Sequence, residues 1–493
     1  MHLLPNLCII LPILAGAGLL VWRPESRKVR QWYVMSITLL NSALALASIA
    51  MAWQKGVDAT RSLLIQFGGN LSISLAIDGP SMVFGIIIAV LWPVTVLYSF
   101  EYMKHEGGEN RFFSFLTMSY GVVLGVAFAE DFLSLYLFYE LLTLATLPMV
   151  MHGMDRKARY AGKKYLIYSL SGAAFAFIGI VFLMHYGTTL NFTYGGVLNP
   201  ELTAGNERVL LDVFVLAFLG FGVKAAVFPL HGWLPDASVA PTPVSALLHA
   251  VAVVKSGVFA ILRLIYYGFG ADFLRGTFAQ SIVMIFTIVT IVYGSAKALQ
   301  MSHFKRRLAY STVSNLSYIL FSFTLMTPAG MTGGLIHMVF HALIKITLFF
   351  CAGAVLYKTE KEYVYELEGF GKAMPITFAA FTVAAFALSG VPPLGGFAGK
   401  WCIASAAAEV GTPLSYVGIG ALILSTLLTT LYMMTIVIRA YFPMGEDRDL
   451  TAVRDPNGNM TGPLLFLTAA ATVLALSSAP LIAFVRNVSA GLL

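Results

Sequence analysis

Six of the 31 basic residues of this chain fall inside long apolar runs: Lys224, Lys255, Arg263, Lys297, Lys345 and Lys400. A cation at mid-bilayer costs about 2.5–3.5 kcal/mol on insertion scales, so each needs a reason to be there. Arg263 and Lys297 lie near the ends of their runs, where a long side chain is expected to snorkel to the interface. Lys224, Lys255, Lys345 and Lys400 lie deeper. They read as proton carriers, with a structural ion pair between helices as the plainer alternative. Glu140 is the one carboxylate clearly in mid-run, within Tyr136-Leu-Phe-Tyr-Glu140-Leu-Leu-Thr143. Unit charges about 4 Å apart at an effective dielectric near 20 attract by roughly 4 kcal/mol. A lone buried carboxylate wants a cation partner, and the four deep lysines are the available supply.

Histidines extend the set. His249 precedes Lys255 by six residues, a rise of roughly 9 Å on one helix. His337, His341 and Lys345 follow i, i+4, i+8, which predicts one titratable stripe. A zinc reading of His337-Met-Val-Phe-His341 fails, because that pattern needs Glu directly after the first His and a third ligand. A proton relay is the favoured chemistry, and satisfied packing histidines the plain alternative. Cys8, Cys351 and Cys402 are isolated, so iron–sulfur and structural zinc sites are not expected. No Walker A loop or dinucleotide fingerprint is present. No metal or cofactor is therefore expected on this chain, and no redox or ATPase site. Asp78, in Asp78-Gly-Pro-Ser81, reads either as a partner for a cation at a span edge or as a solvated helix cap.

The elements that hold these residues follow from composition. Of 493 residues 58% are hydrophobic and 11% charged, with mean hydropathy +0.81. Soluble domains carry about 25% charged residues, which excludes a soluble enzyme, a disordered scaffold and a nucleic-acid binder. A helix crosses the hydrocarbon core with about 20 apolar residues. Fourteen segments qualify, near 3–22, 32–53, 80–100, 112–129, 132–152, 165–186, 211–230, 241–266, 280–299, 309–327, 332–357, 374–410, 414–438 and 462–485. The first lacks the basic n-region and cleavage site of a signal peptide and reads as a span. Loops after odd-numbered spans hold twenty cations, including Arg30, Lys164, Lys305, Arg307 and Arg448. The other loops and the tail hold five: Lys55, Arg61, Arg208, Arg275 and Arg486. This bias puts the odd loops in the cytoplasm and both termini on the other side of a bacterial or archaeal cytoplasmic membrane.

Two spans are interrupted. Lys224 is followed by Phe228-Pro229-Leu-His231-Gly-Trp-Leu-Pro235, and Lys400 is preceded by Ser389-Gly-Val-Pro392-Pro393-Leu-Gly395-Gly396. Proline removes a donor and glycine loosens a helix. Unwound backbone at membrane depth is tolerated only inside protein or beside water. Two broken helices five spans apart, each with a buried lysine, predict inverted repeats around an ion path. The fold class is then an all-α polytopic membrane protein with two inverted five-helix repeats and discontinuous helices seven and twelve. Its parts are a three-helix segment (1–111), repeats at 112–266 and 280–440, and a last span at 462–493.

The stretch Gly220-Phe-Gly-Val-Lys224-Ala-Ala-Val-Phe-Pro229-Leu-His231-Gly-Trp-Leu-Pro235-Asp236, continuing through Ala240-Pro-Thr-Pro-Val-Ser245-Ala-Leu-Leu-His249 to Lys255, resembles the antiporter-like subunits of respiratory complex I. Their superfamily includes membrane-bound hydrogenases and Mrp cation/proton antiporters. Further matches are Arg307-Leu-Ala-Tyr310-Ser-Thr-Val-Ser314-Asn, His337-Met-Val-Phe-His341-Ala-Leu-Ile-Lys345 and Gly390-Val-Pro-Pro-Leu-Gly-Gly-Phe-Ala-Gly399-Lys400. The resemblance implies fourteen helices and roles by position: Glu140 with Lys224, the central Lys255 with His249, the connecting His337, His341 and Lys345, and an exit-side Lys400. It implies a proton-translocating subunit among other membrane subunits, with peripheral redox subunits driving it and protons or Na+ as cargo. The alternative is the D-type subunit of an Mrp antiporter. Lysine at 400 departs from the paralogue with glutamate there and leaves the subtype open.

Overall fold

The computed structural model describes residues 3–68, 71–443, 450 and 453–493; Arg448 lies outside them. Its first helices are α1 (Leu4–Val21), α2 (Arg27–Lys55), α3 (Gly79–Glu106), α4 (Glu109–Phe128), α5 (Phe132–Val150) and α6 (Arg156–Tyr186). Next come α7 (Pro200–Thr203), α8 (Glu207–Lys224), α9 (Trp233–Ala237), α10 (Thr242–Ala250), α11 (Val253–Arg263) and α12 (Ala271–Leu274). The second half holds α13 (Phe278–Gln300), α14 (Phe304–Thr324), α15 (Pro328–Thr359), α16 (Phe370–Ala373), α17 (Pro375–Ser389), α18 (Gly395–Val410) and α19 (Pro413–Tyr441). The chain closes with α20 (Gly458–Leu476) and α21 (Ser478–Ser489). A small antiparallel hairpin, β1 (Ser62–Gln66) and β2 (Ser72–Leu75), is the one sheet among the described residues.

Among the described residues, eleven helices, with Thr242–Phe269 taken as one, are long and apolar enough to cross a bilayer. The expected spans at 211–230, 309–327 and 374–410 are not among them, for reasons that matter to function. α8 carries Glu207, Arg208, Asp212 and Lys224; the middle of α14 is lined by Ser311, Thr312, Ser314, Asn315 and Ser317; and the third is split into α17 and α18. Helix starts are set by capping side chains. Asp78 accepts from Ser81 N, Asp131 from Ser134 N and Asp155 from Ala158 N, each satisfying an amide with no intrahelical partner.

Loops sort into two ends. At one, Ala76 N donates to Phe128 O, Phe192 N to Glu130 O and Val197 N to Gly268 O, while Arg275 Nη2 reaches Met326 O at 2.6 Å. Asn6 near the start of α1 and Ser489 at the end of α21 lie at this end too, bonded to Leu63 O and to the Tyr194 hydroxyl. At the other end Arg30 meets Asn110, Lys164 meets Asp236 at 2.7 Å, and Phe304 N donates to Glu362 O. The described residues of the twenty-cation loops share this second end. Three of their residues are buried helix groups rather than loop groups, however: Arg30 lies in the first turn of α2 beside Glu109, and the other two in α14. Lys305 and Arg307 are buried in the first turn of α14, on Ala240 O and Tyr432 O.

The breaks differ in detail from the sequence reading. Pro229 lies in the turn between α8 and α9, and Pro392 and Pro393 in that between α17 and α18. Gly395 and Gly396 are instead the first residues of α18. A side chain there would strike the Phe340 ring and the Ala387 carbonyl, so close packing is what requires glycine. The eighth span is broken as well. Both Val251 N and Ala252 N converge on Leu247 O, and α11 restarts at Val253. His249 and Lys255 therefore stand on different helices, because the i→i−4 ladder slips by one residue at this point.

Candidate functional site

Lys224 is the last residue of α8, where carbonyls without helical partners favour a cation. Trp233 Nε1 takes the neighbouring Val223 carbonyl at 2.7 Å. Lys224 Nζ lies 3.5 Å from Glu140 Oε1, hydrogen-bonds the Tyr139 carbonyl, and stands 3.4 Å from the centre of the Tyr139 ring. The lysine is fully buried, while the Glu140 side chain keeps 21% of its exposure. The carboxylate is thus the partly exposed partner and the ammonium the buried one. Gly257 of α11 lies against this junction: a Cβ there would sit 2.6 Å from Ala225 N. Only glycine lets α11, with Lys255 two residues earlier, press against the end of α8.

Lys255 Nζ donates to His341 Nδ1 at 2.9 Å. His341 and His337 are 6.1 Å apart, ring centre to ring centre, on the unbroken α15. His337 Nε2 is 3.2 Å from Asn315 Oδ1 of α14. On its far side Gly399 packs so tightly that a Cβ would meet His337 Nδ1 at 2.6 Å, which brings α18 and Lys400 onto the stripe. Lys400 Nζ donates to Leu388 O at 2.9 Å and lies 5.6 Å from the centre of the Tyr318 ring. Lys345 continues the stripe but turns to α14, donating to Leu308 O at 2.9 Å and to Ser311 Oγ. His249 stacks on Phe349 at 4.6 Å, and neither ring nitrogen has a hydrogen-bond partner among the described residues. The free nitrogens of His249, His337 and His341 mark the points where a mobile proton could be taken up.

One of the two residues expected to snorkel does not. Arg263 is fully buried at the end of α11, on Asp78 through two hydrogen bonds of 2.5 Å, with Ser81 Oγ at 2.9 Å. Phe192, Phe259 and Tyr267 surround the guanidinium. Asp78 is therefore both cap and counter-ion. Burial pushes its carboxyl up, but the Arg263 charge and the Arg263 and Ser81 hydrogen bonds outweigh that and hold it below the usual carboxylate value. Lys297, in contrast, sits partly exposed near Gln300 at its helix end.

Comparison with known proteins decides the family. The model described as NADH:quinone oxidoreductase/Mrp antiporter, TM, matches residues 129–442, and that of the complex I chain 5 N-terminus matches 64–113. The chain belongs to the complex I/Mrp antiporter-like family. The NADH-quinone oxidoreductase subunit N of Desulforudis audaxviator is 29% identical over 89% of this chain and 86% of its own. Chain 5 of the NAD(P)H-quinone oxidoreductase of Picosynechococcus is 30% identical over 84% of this chain but 64% of its own, so the chain spans under two thirds of that relative. Among solved structures, a subunit of the archaeal membrane-bound sulfane sulfur reductase superposes with a TM-score of 0.85 at 23% identity, covering 99% of this chain and 97% of that one. A chain of Thermus thermophilus complex I gives 0.81 at 22%, covering 98% of each. They share the fold.

Within this antiporter-like fold, sequence reasoning missed the residues that have no charge. Tyr139 holds Lys224 through its ring and carbonyl, Ser311 holds Lys345, Asn315 holds His337, and Tyr318 stands over Lys400. One signal was present: α14 is too polar for a lipid-facing helix, with Ser311, Ser314, Asn315 and Tyr318 spaced to share one face.

Proposed function

We propose that this chain is the proton-translocating subunit of a multisubunit membrane complex related to respiratory complex I or membrane-bound hydrogenase. Protons move from Glu140/Lys224 to Lys255, through His341 and His337, and out by Lys400, with His249 and Lys345 as a side branch and water in the gaps. The observation that carries this reading is the run of buried contacts from Glu140–Lys224 across Gly257 to Lys255–His341 and on to His337 beside Gly399–Lys400. Moving one charge through 100 mV takes about 2.3 kcal/mol, and the Glu140–Lys224 attraction is of that order. Separation of this pair is then enough to trigger transfer.

The repeats are placed at 112–266 and 280–440 between the flanking parts 1–111 and 462–493. The twenty-cation end is assigned to the cytoplasm of a bacterial or archaeal cell, and both chain ends to the opposite side; the positive-inside bias supports this. Other membrane subunits are the partners, with peripheral redox subunits supplying the drive; in the alternative, an Mrp-type D subunit uses an existing cation gradient. Co-purification separates the two, since iron–sulfur or nickel proteins support the first and small membrane subunits alone support the second. Lys224→Ala is expected to abolish ion transport in membrane vesicles while the protein still assembles. Transport equal to wild type would overturn the reading.

A further inference from the structure

At the end that carries the cation-rich loops, several basic side chains are spent on acids: Arg30 on Glu109, Lys104 on Glu101 at 2.7 Å, and Arg439 on Glu368 at 3.5 Å. One cluster differs. A cavity of about 300 Å³ opens there between α6, α9 and α14. Arg156, Lys157 and Tyr160 line it from the first turns of α6, Asp236 and Val239 from α9 and the residues after it, and Arg306 from α14. Asp236 is the one carboxylate among the described residues that line it, and it is already shared by Lys164 at 2.7 Å and Arg306 at 3.8 Å. Asp155, next to Arg156, is turned onto the α6 amide of Ala158 at 2.6 Å. Four cations thus surround one carboxylate in a concave site. Beyond the cavity the outer face of α6 turns apolar. Tyr160, Ile167 and Leu170 are exposed, with Tyr160 and Ile167 two turns apart on one face, and Val239 is exposed on the opposite wall.

We propose that this cavity binds the phosphate headgroup of an anionic phospholipid whose acyl chains lie along the outer face of α6. The site is independent of the proton path. Arginine forks from two walls, Arg156 and Arg306, match phosphate oxygens, and Lys157 adds a point charge. Basic pockets between spans are where anionic headgroups are held, and Tyr160 has the amphipathic ring suited to headgroup level. A free phosphate would answer the charges and leave the apolar face bare. A zwitterionic lipid would bring its own ammonium into a site that already has an excess of cations. The bound headgroup would bridge α6 of the first half to α14 of the second. It would do so at the mouth of the α8–α9 break, where a Cβ on Gly232 would sit 3.4 Å from Lys164 Nζ. Because the site exists only in the folded chain, occupancy raises stability.

The test is the melting temperature of the full chain, purified with its co-purifying subunits in detergent, titrated with dioleoylphosphatidylglycerol, dioleoylphosphatidylcholine or inorganic phosphate. Saturable stabilisation by phosphatidylglycerol alone is expected. Arg156→Gln/Lys157→Gln should weaken the apparent affinity about tenfold or more, the scale of two charges at a membrane surface. Arg306→Gln should weaken it in the same direction from the opposite wall, and serves if the α6 variant does not assemble. Lys358→Gln/Lys372→Gln removes two exposed cations at the same end but away from the cavity, and should change it by no more than about twofold. Equal weakening by both double variants would mean diffuse attraction and would overturn the site. Stabilisation by inorganic phosphate would make it a soluble-anion site, and stabilisation by phosphatidylcholine a non-selective one; either result contradicts the proposal. Unchanged phosphatidylglycerol binding in the cavity variants also overturns it, and loss of a co-purifying subunit in those same variants would assign the cavity to a protein partner instead.

Discussion

Lys224 and Lys400 are each buried beside a broken helix, yet they are held in opposite ways. Lys224 has a carboxylate 3.5 Å away, an aromatic face and a carbonyl. Lys400 has the Leu388 carbonyl and the more distant Tyr318 ring, and no acid within ion-pair distance among the described residues. A paired lysine keeps its proton until the pair is pulled apart, so it can act as a switch. An unpaired one has no such clamp and is free to pass on what reaches it. The asymmetry gives the path a controlled entrance in the first half and an open outlet in the second, with Lys255–His341 as the joint between them.

After Lys224→Ala, the largest effect is expected at the joint. Lys255→Ala removes the hydrogen bond to His341 that links α11 to the stripe and should lower transport about a hundredfold or more, the scale of a lost general acid–base group, as measured by pH-gradient formation in vesicles. Lys400→Ala should be milder, because the Tyr318–His337 neighbourhood remains. A loss as deep as that of Lys255→Ala would erase the contrast between outlet and joint. Gly257→Ala tests the packing beneath it. Overpacking costs about 1–3 kcal/mol, and displacing α11 from Lys224 should lower transport along with thermal stability.

The Asp78–Arg263 pair provides the comparison outside the path. Removing one partner of a buried pair costs about 3–5 kcal/mol, so Arg263→Leu should lower the melting temperature of the purified protein. The depressed Asp78 carboxyl contributes stability that is fully present above its unfolded value of about 3.9 and is lost as pH falls through its lower folded value. Asp78→Asn should therefore destabilise at neutral pH, and the difference from wild type should shrink in acid. Transport defects in these variants out of proportion to their stability would blur the line between anchor and path.

The charged groups were legible in the sequence because charge in an apolar run is improbable without a purpose. Their depth in the apolar runs and the His337–His341–Lys345 register followed from spacing, and the Glu140–Lys224 pairing from the family resemblance. What was not legible depended on the third dimension. The one-residue slip at Val251–Ala252 leaves no proline or glycine to mark it, so His249 and Lys255 looked continuous. Arg263 looked free to snorkel because Asp78, far away in sequence, packs beside it only in the fold. Gly395 and Gly396 looked like breakers because a packing glycine and a loosening glycine read alike. The supporting hydroxyls were invisible for the same reason, since serine and tyrosine are unremarkable until their partners are known.

The central claim is that the charge of Glu140 controls the proton on Lys224. Vesicle proton transport in Glu140→Gln against Glu140→Asp, at equal amounts of assembled protein, tests it most directly. Loss of transport in the glutamine variant with substantial recovery in the aspartate variant is the predicted result; transport in Glu140→Gln equal to wild type would contradict it.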